Sequence, residues 1–317
     1  MLKIIIFGGF GFVGSNMKAI LKKNYNVTSF SRRNGCDMNC EEVIINHLDK
    51  HKPNIIINCA SEVGSLGFIK RNPANIFRNN SRIYLNLYEA VRKSKKNIVI
   101  YNPISNCAVD HELKIQKEDL WLKGEVHESV LSGGMSKRFL YYLSKFYNQQ
   151  YNILSKNFLI PNAYGPGDYL DPDKTHALNG IVLRFLLSTI NNEKLFTVWG
   201  SGKPKREWIF VEDIANLFLK EIKNNKIKNY YPINFAQNKS YSILDIANIV
   251  KRILKSKIKI STDTNKVEGV PMKQMDNNKF KKYFKNYKFV NLEYGIKKTI
   301  NYYKKKINED KFFFNNN

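Results

Sequence analysis

Through the first half of the chain, short runs of β-branched residues alternate with longer stretches of mixed apolar and polar positions. The runs "KIIIFG", "NVTSFS", "NIIINCA", "NIVIYNP" and "YNILSKNFL" are near-continuous in apolar residues and bounded by Gly, Asn or Pro. That pattern predicts strands buried on both faces. Between them, "SNMKAILKKN", "EEVIINHLDKHK" and "PANIFRNNSRIYLNLYEAVRKS" repeat apolar residues at the three- and four-residue spacing of amphipathic helices. Strand–helix alternation of this kind predicts an α/β fold, a doubly wound parallel sheet. From about Pro161 the pattern breaks into Pro- and Gly-containing loops and short mixed elements, with one more core strand at "YPINFA".

The stretch "IIIFGGFGFVGSN" sets Gly8, Gly11 and Gly14 directly between the first strand and a helix, with Phe12 and Val13 opening that helix. Glycines there allow a tight turn, a close backbone approach to a pyrophosphate and a helix N-terminus aimed at negative charge. The sheet is therefore expected to be of Rossmann type. Residues 1–165 would form the dinucleotide-binding domain, to which a strand near 231–236 returns. Residues 166–317 would form mainly a smaller, interleaved, mixed α/β substrate domain. After the second strand come Ser31, Arg32 and Arg33, where an NAD-selective protein usually carries an acid for the ribose hydroxyls. Arginines suit a 2′-phosphate, so NADP is favoured over NAD, the alternative being a surface Arg pair in a basic protein. Asp37 and Met38 follow at a position suited to adenine. Cys59 and Ala60, after the third strand, complete the expected cofactor wall.

With 317 residues, 43% of them hydrophobic, the chain can bury one or two cores. The net charge of +25 comes from lysines scattered among asparagines, with no nucleic-acid-binding motif beside them. A solvated surface with a bias toward anionic ligands is the expectation, and nucleic acid is not an expected partner. No apolar run approaches the roughly 20 residues that span a bilayer. The opening "LKIIIF" is too short for a signal peptide and leads into the glycine loop. A soluble, cytoplasmic protein with no membrane partner is expected. Cys36, Cys40, Cys59 and Cys107 make no disulfide framework in a chain of this length. Cys36, Cys40, His47 and His51 resemble a zinc site only superficially, because the spacing between the Cys pair and the His pair is about half the usual one. No metal is assigned.

Together with "NCAS" at Asn58–Ser61, these features resemble the extended short-chain dehydrogenase/reductase superfamily, also described as the NAD-dependent epimerase/dehydratase family. Within it the likeness is greatest to the GDP-fucose synthases, which epimerise and then reduce GDP-4-keto-6-deoxymannose. "SEVGSLGFIKRNPANIFRNN" is similar to their loop and long helix after the third strand. "ISNCAVD" resembles their Ser-Ser-Cys loop, which implies Ser105 as catalytic serine and Cys107 as an epimerisation residue. "PNAYGPGDYLDPDKTHALNGIVLRF" resembles their Asn-x-Tyr-Gly-Pro segment with its following His and Arg, implying Asn162, His176 and Arg184. "VWGSGKPKREWIFVEDIA" implies Trp199 and Arg206 on the substrate, and "PMKQMD" implies Lys273 near its diphosphate. Arg206 would chelate that diphosphate through charge-assisted hydrogen bonds, or else pair with Glu207. Cys107 and His176 would exchange protons across a sugar ring acidified by its 4-keto group, or else be a small buried Cys and a loop His. Ser105 would bond the sugar oxygen, or cap a turn.

The resemblance fails at one position. Lys137 in "HESVLSGGMSKRFLYYLSKFYNQQY" falls at the family's lysine, which places Gly133 where the family has the tyrosine that moves the proton. Tyr141 and Lys145 repeat the spacing, but they lie about 12 Å further along a helix and would break the match on both flanks. Three functions follow: an oxidoreductase in which Ser105, His176 or a water over Gly133 supplies the proton and Lys137 orients the cofactor; an epimerase of a 4-keto sugar using Cys107 and His176; or a non-catalytic binder of dinucleotide and nucleotide sugar. Retention of Lys137, Ser105, Cys107, His176 and Arg206 together argues for the first. The substrate implied is a nucleotide-linked hexose or heptose, GDP by resemblance, of the kind that feeds surface polysaccharide. Family members dimerise through two long helices per subunit, here Ala74–Lys93 and Ser136–Gln149, so a homodimer is expected.

Overall fold

The strands expected from the alternating pattern do line up side by side. The computed structural model describes residues 1–171, 174–266 and 268–315. The first half runs β1 (Lys3–Phe7), α1 (Phe12–Leu21), β2 (Asn26–Phe30), α2 (Glu41–His51), β3 (Ile55–Asn58), α3 (Leu66–Arg71), α4 (Pro73–Ser94), β4 (Val99–Ser105), β5 (Ile115–Gln116), α5 (Leu131–Tyr151), β6 (Ser155–Ile160) and β7 (Asn162–Tyr164). The second half runs α6 (Ala177–Ile190), β8 (Leu195–Trp199), β9 (Lys205–Phe210), α7 (Val211–Asn224), β10 (Ile233–Asn234), β11 (Ser240–Ser242), α8 (Ile243–Leu254), β12 (Lys259–Asp263), β13 (Met272–Met275), α9 (Asn278–Tyr283) and α10 (Leu292–Asn315).

Six strands form one sheet in the order β10-β6-β4-β3-β1-β2, and every pairing in it is parallel. The sheet is doubly wound and Rossmann-like, with β2 at the edge beside β1 and the strand sequence reversing between β1 and β3. The unbroken apolar run of β1 follows from helices on both faces. Ile5 and Phe7 face a core shared with α2, α4 and α5. Ile4 and Ile6 face another, shared with α1 and α7. The late strand is β10, where Ile233 pairs with Phe158. With it come α7 and Phe280 of α9, so the second half of the chain sends several elements back to this sheet.

One boundary differs from expectation. "YNILSKNFL" is not strand from its start: α5 runs to Tyr151, and β6 begins at Ser155. Asn152, with a left-handed φ of 55°, ends the helix there, a conformation asparagine tolerates better than most residues.

The remaining strands build a second region. β11, β9, β13 and β5 form a mixed sheet, with β7 also pairing β9, and β12 pairs β8. Helices α6, α8 and α10 enclose a third core behind it. Among the described residues no helix is long and apolar enough to cross a membrane.

Candidate active site

The loop after β1 turns on Gly8, whose φ of 74° favours glycine. Gly8 and Gly9 both donate to the Phe30 carbonyl, at 2.8 and 3.1 Å, tying the loop to β2. A Cβ on Gly14 would sit 2.2 Å from the Gly8 carbonyl oxygen, so α1 approaches the turn as only glycine allows. No side chain caps α1 at Gly11, which leaves its first-turn amides for an anion. Across the crevice Asn58 is 3% exposed, and neither atom of its amide has a protein partner. A glycine cradle, an uncapped helix start and an orphaned amide fit a dinucleotide.

Ser31 caps the tight turn that carries Arg32 and Arg33, accepting from the Arg33 amide at 3.2 Å, and both arginines are exposed. Asp37 is exposed and takes the Asn39 amide at 3.1 Å. Met38 packs into the core beside α2 and α4. His47 lies 3.9 Å from the Phe30 ring and His51 5.2 Å, which explains their helical spacing as packing.

One cavity brings much of the expected site together. Gly11, Phe12, Val13, Gly14, Asn58 and Cys59 line it on the cofactor side, and Ser61, Ser105, Lys137, Asn162, Tyr169 and His176 on the other. Burial pushes the Cys59 thiol up to about 12, against a smaller opposing pull from Lys137. Lys137 is 8% exposed, and its ammonium donates to Ser61 Oγ at 2.9 Å and Tyr84 OH at 2.5 Å. Ser105 Oγ accepts from the Cys107 amide at 3.3 Å, so it caps a turn while lining the cavity. Asn162 donates to the Glu207 carbonyl at 3.0 Å.

His176 is oriented by Asp168. One carboxylate oxygen lies 3.0 Å from Nδ1, and the other accepts the His176 backbone amide at 2.9 Å. Asn179 also donates to Asp168, at 2.9 Å. The imidazole rests 5.1 Å from the Phe12 ring. An imidazole fixed at one nitrogen by a buried carboxylate is arranged for proton transfer at the other.

A second group stands apart from that cavity lining. Arg206 and Lys273 are directly paired in the β9–β13 register, which puts both side chains on one face. Burial lowers the Arg206 guanidinium to about 10, with Glu268 opposing, and burial also lowers Lys273, against the pull of Cys107. His127 is lowered by burial and then by His111, whose ring is 5.4 Å away, and by Lys273. Such a concentration of desolvated positive charge suits a diphosphate. Glu207 does not pair with Arg206. It points to the other side of β9 and accepts the amides of Met275, Gln237 and Asn238. Burial drives its carboxyl up to about 7, against those hydrogen bonds. Arg184 lies over the Trp199 ring at 4.5 Å, and Trp199 is 55% exposed, an open aromatic face on a fixed cation.

The two glycines of α5 differ. A Cβ on Gly134 would meet Val126 Cγ1 at 2.5 Å and the Cys107 carbonyl oxygen at 2.7 Å, whereas one on Gly133 would meet nothing within 4 Å. Tyr141 is no cavity residue: it is buried against Trp121, 5.0 Å between rings, and burial raises its phenol to about 12. Asn58, Ser61, Tyr84 and Asp168 carried no assignment from sequence. Asn58 and Ser61 flank Cys59 and Ala60 within "NCAS", and Asp168 stands eight residues before His176, so those three lay within reach of a local pattern, whereas Tyr84 did not.

The match to known proteins follows this layout. Residues 4–235 match the model of the NAD dependent epimerase/dehydratase family. The chain is 26% identical to a GDP-L-fucose synthase of Dictyostelium discoideum over 95% of its own length and 94% of that protein's. It is 27% identical to a GDP-L-colitose synthase of Yersinia pseudotuberculosis over 98% and 100%. Its fold is similar to a GDP-mannoheptose C4 reductase from Campylobacter jejuni solved with NADP bound, with a TM-score of 0.82 at 21% identity, covering 96% of this chain and 98% of that one. The chain belongs to the NAD dependent epimerase/dehydratase family.

Proposed function

We propose that the protein is an oxidoreductase acting at carbon 4 of a GDP-linked hexose or heptose, with Gly133 in place of the usual tyrosine. The observation that carries this reading is the shared cavity, in which Lys137, Ser105 and the Asp168-oriented His176 stand beside the glycine loop. The GDP-sugar and C4-reductase names of similar proteins support the substrate class. Arg32 and Arg33 favour NADP over NAD.

When bound, the nicotinamide supplies or accepts the hydride. The chain's part is to hold the sugar and move one proton at its C4 oxygen. Lys137 directs its ammonium into the cavity, toward the cofactor. Ser105 Oγ bonds the C4 oxygen, and His176, fixed at Nδ1, presents its other nitrogen to the sugar. Arg206 and Lys273 hold the diphosphate, Asn162 the sugar side, and Arg184 with Trp199 the base. The predicted division at residue 165 would set the cofactor and the nucleotide sugar on opposite walls. Epimerisation by Cys107 and His176 is the second reading, supported by the charge of Lys273 beside Cys107.

Two further points rest on surface and thiols. The paired helices α4 and α5 expose Phe77, Leu85, Met135, Tyr142 and Phe146, an apolar stripe that supports a homodimer. Four free cysteines support a reducing, cytoplasmic setting.

The test is to purify the protein without added cofactor, identify any released dinucleotide by mass, and then add GDP-4-keto and GDP-4-hydroxy sugars in deuterated water. A change in reduced-nicotinamide absorbance supports oxidoreduction and gives its direction. Deuterium entering the sugar without that change selects the epimerase. Neither change across both sugar sets refutes both reactions.

A further inference from the structure

Among the described residues, the Lys137 ammonium hydrogen-bonds to two hydroxyls. Its Nζ contacts Ser61 Oγ and Tyr84 OH, and those two oxygens are 2.9 Å apart, closing a triangle. Tyr84 comes from α4, has no exposed surface, and places its ring 5.0 Å from the ammonium. Ser61 and Lys137 both line the cavity. Tyr84 therefore reaches the cavity only through them. Packing alone needs the ring and not the hydroxyl, which is the part that touches the lysine.

The partner's chemistry matters. An ionised carboxylate only accepts, so it favours the charged ammonium and offers nothing to the amine's lone pair. A phenol accepts from an ammonium and donates to an amine. Tyr84 and Ser61 thus keep Lys137 hydrogen-bonded in either protonation state. One helical turn before Lys137, on the same face of α5, Gly133 leaves open space.

We propose that Tyr84 is a positioning residue that, with Ser61, fixes Lys137 as the proton carrier of the reaction. The proposal rests on the oxidoreductase reading. In the reducing direction, a bound reduced nicotinamide would supply the hydride and its electron pair to C4, and the C4 oxygen would take a proton from a water over Gly133. That water is reprotonated by Lys137, which becomes an amine accepting from Tyr84 O–H. Solvent entering the cavity returns the proton to Lys137. Oxidation runs the same transfers backward.

The test compares wild type, Tyr84→Phe, Gly133→Tyr and the double variant. Single-turnover hydride transfer is followed against pH with NADPH and a GDP-4-keto sugar, and NADPH affinity is read by its fluorescence. Tyr84→Phe is expected to slow hydride transfer about 10- to 100-fold and to displace its pH profile, with the sugar's KM nearly unchanged. NADPH binding should weaken about fivefold, as expected when an ordering hydrogen bond of roughly 1 kcal/mol is lost. In the Gly133→Tyr background the rate loss should largely disappear, because the new phenol moves the proton. A Tyr84→Phe enzyme with wild-type rate, pH profile and NADPH affinity overturns the proposal. So does a loss that Gly133→Tyr leaves in place with the pH profile unmoved, which marks a packing defect. If wild type turns over no sugar while Tyr84→Phe still weakens NADPH binding, the oxidoreductase reading and the proton-carrier role fail. Tyr84 then stands as the anchor of Lys137.

Discussion

Placing a tyrosine at position 133 is the most direct perturbation of the proposed site. A side chain on Gly133 starts into open space, with no atom within 4 Å of its Cβ. Replacing a first-turn glycine gains at most about 1 kcal/mol of helix propensity. Gly133→Tyr should therefore melt within about 2 °C of wild type or slightly above it. Against no proton donor at all, a positioned phenol is worth about 10²–10⁴ in rate, or about 2.7–5.4 kcal/mol of barrier. In the proposed reaction Ser105, His176 and Lys137, which line this cavity, would already offer protons, so the lower end applies. An increase in kcat of about 10- to 100-fold is expected, read from nicotinamide absorbance with a GDP-4-keto sugar. Gly134→Ala is the matched control. Its Cβ would press on the Cys107 carbonyl at 2.7 Å, a backbone atom that yields poorly, and about 1–3 kcal/mol of stability should be lost. A folded Gly133→Tyr enzyme with unchanged or lower kcat would refute the vacancy. A Gly134→Ala protein as stable as wild type would refute the packing distinction itself.

Three other outcomes follow from buried groups. The Glu207 carboxyl, raised from 4.5 to about 7, holds its proton longer in the folded state. Its contribution is thus full below about pH 4.5, falls by on the order of 3 kcal/mol as pH rises to about 7, and is flat above. The difference in urea midpoint between wild type and Glu207→Gln should show that slope, and a difference independent of pH would contradict it. Lys156 is fully buried, with Nζ 2.7 Å from both Glu221 and Asn225. Lys156→Met should cost about 3–5 kcal/mol in denaturant unfolding by stranding Glu221, and Lys156→Met with Glu221→Leu should recover much of it. Burial pushes Cys36 up to about 11 and Cys59 up to about 12, while Cys40 is exposed. Iodoacetamide near neutral pH should mark Cys40 and spare the other two in peptide mapping, and prior labelling of Cys59, which lines the cavity, would contradict its raised thiol.

Local patterns carried the sheet. β1 and β3 are short apolar runs because both faces are covered, a property visible in four or five consecutive residues. The start of α4 was legible, since Pro73 stands at its first position. The end of α5 was not, because Asn152 looks like any other loop asparagine until its φ is known. The same distinction divides the site. The glycine loop is contiguous and readable, but Tyr84 meets Lys137 across 53 residues, and no spacing rule joins them. Lys273 reaches Arg206 through strand register alone. The alternative pairing of Arg206 with Glu207 fails for a reason period-two geometry could have supplied: neighbours on a strand face opposite ways. Gly133 and Gly134 are indistinguishable in sequence. In the fold, Gly134 is required by the turn at Cys107, whereas no contact forbids a side chain at Gly133. Packing therefore does not exclude a side chain at position 133. In the proposed reaction, the reason for a glycine there would lie in what the substrate occupies and in where Lys137 obtains its proton.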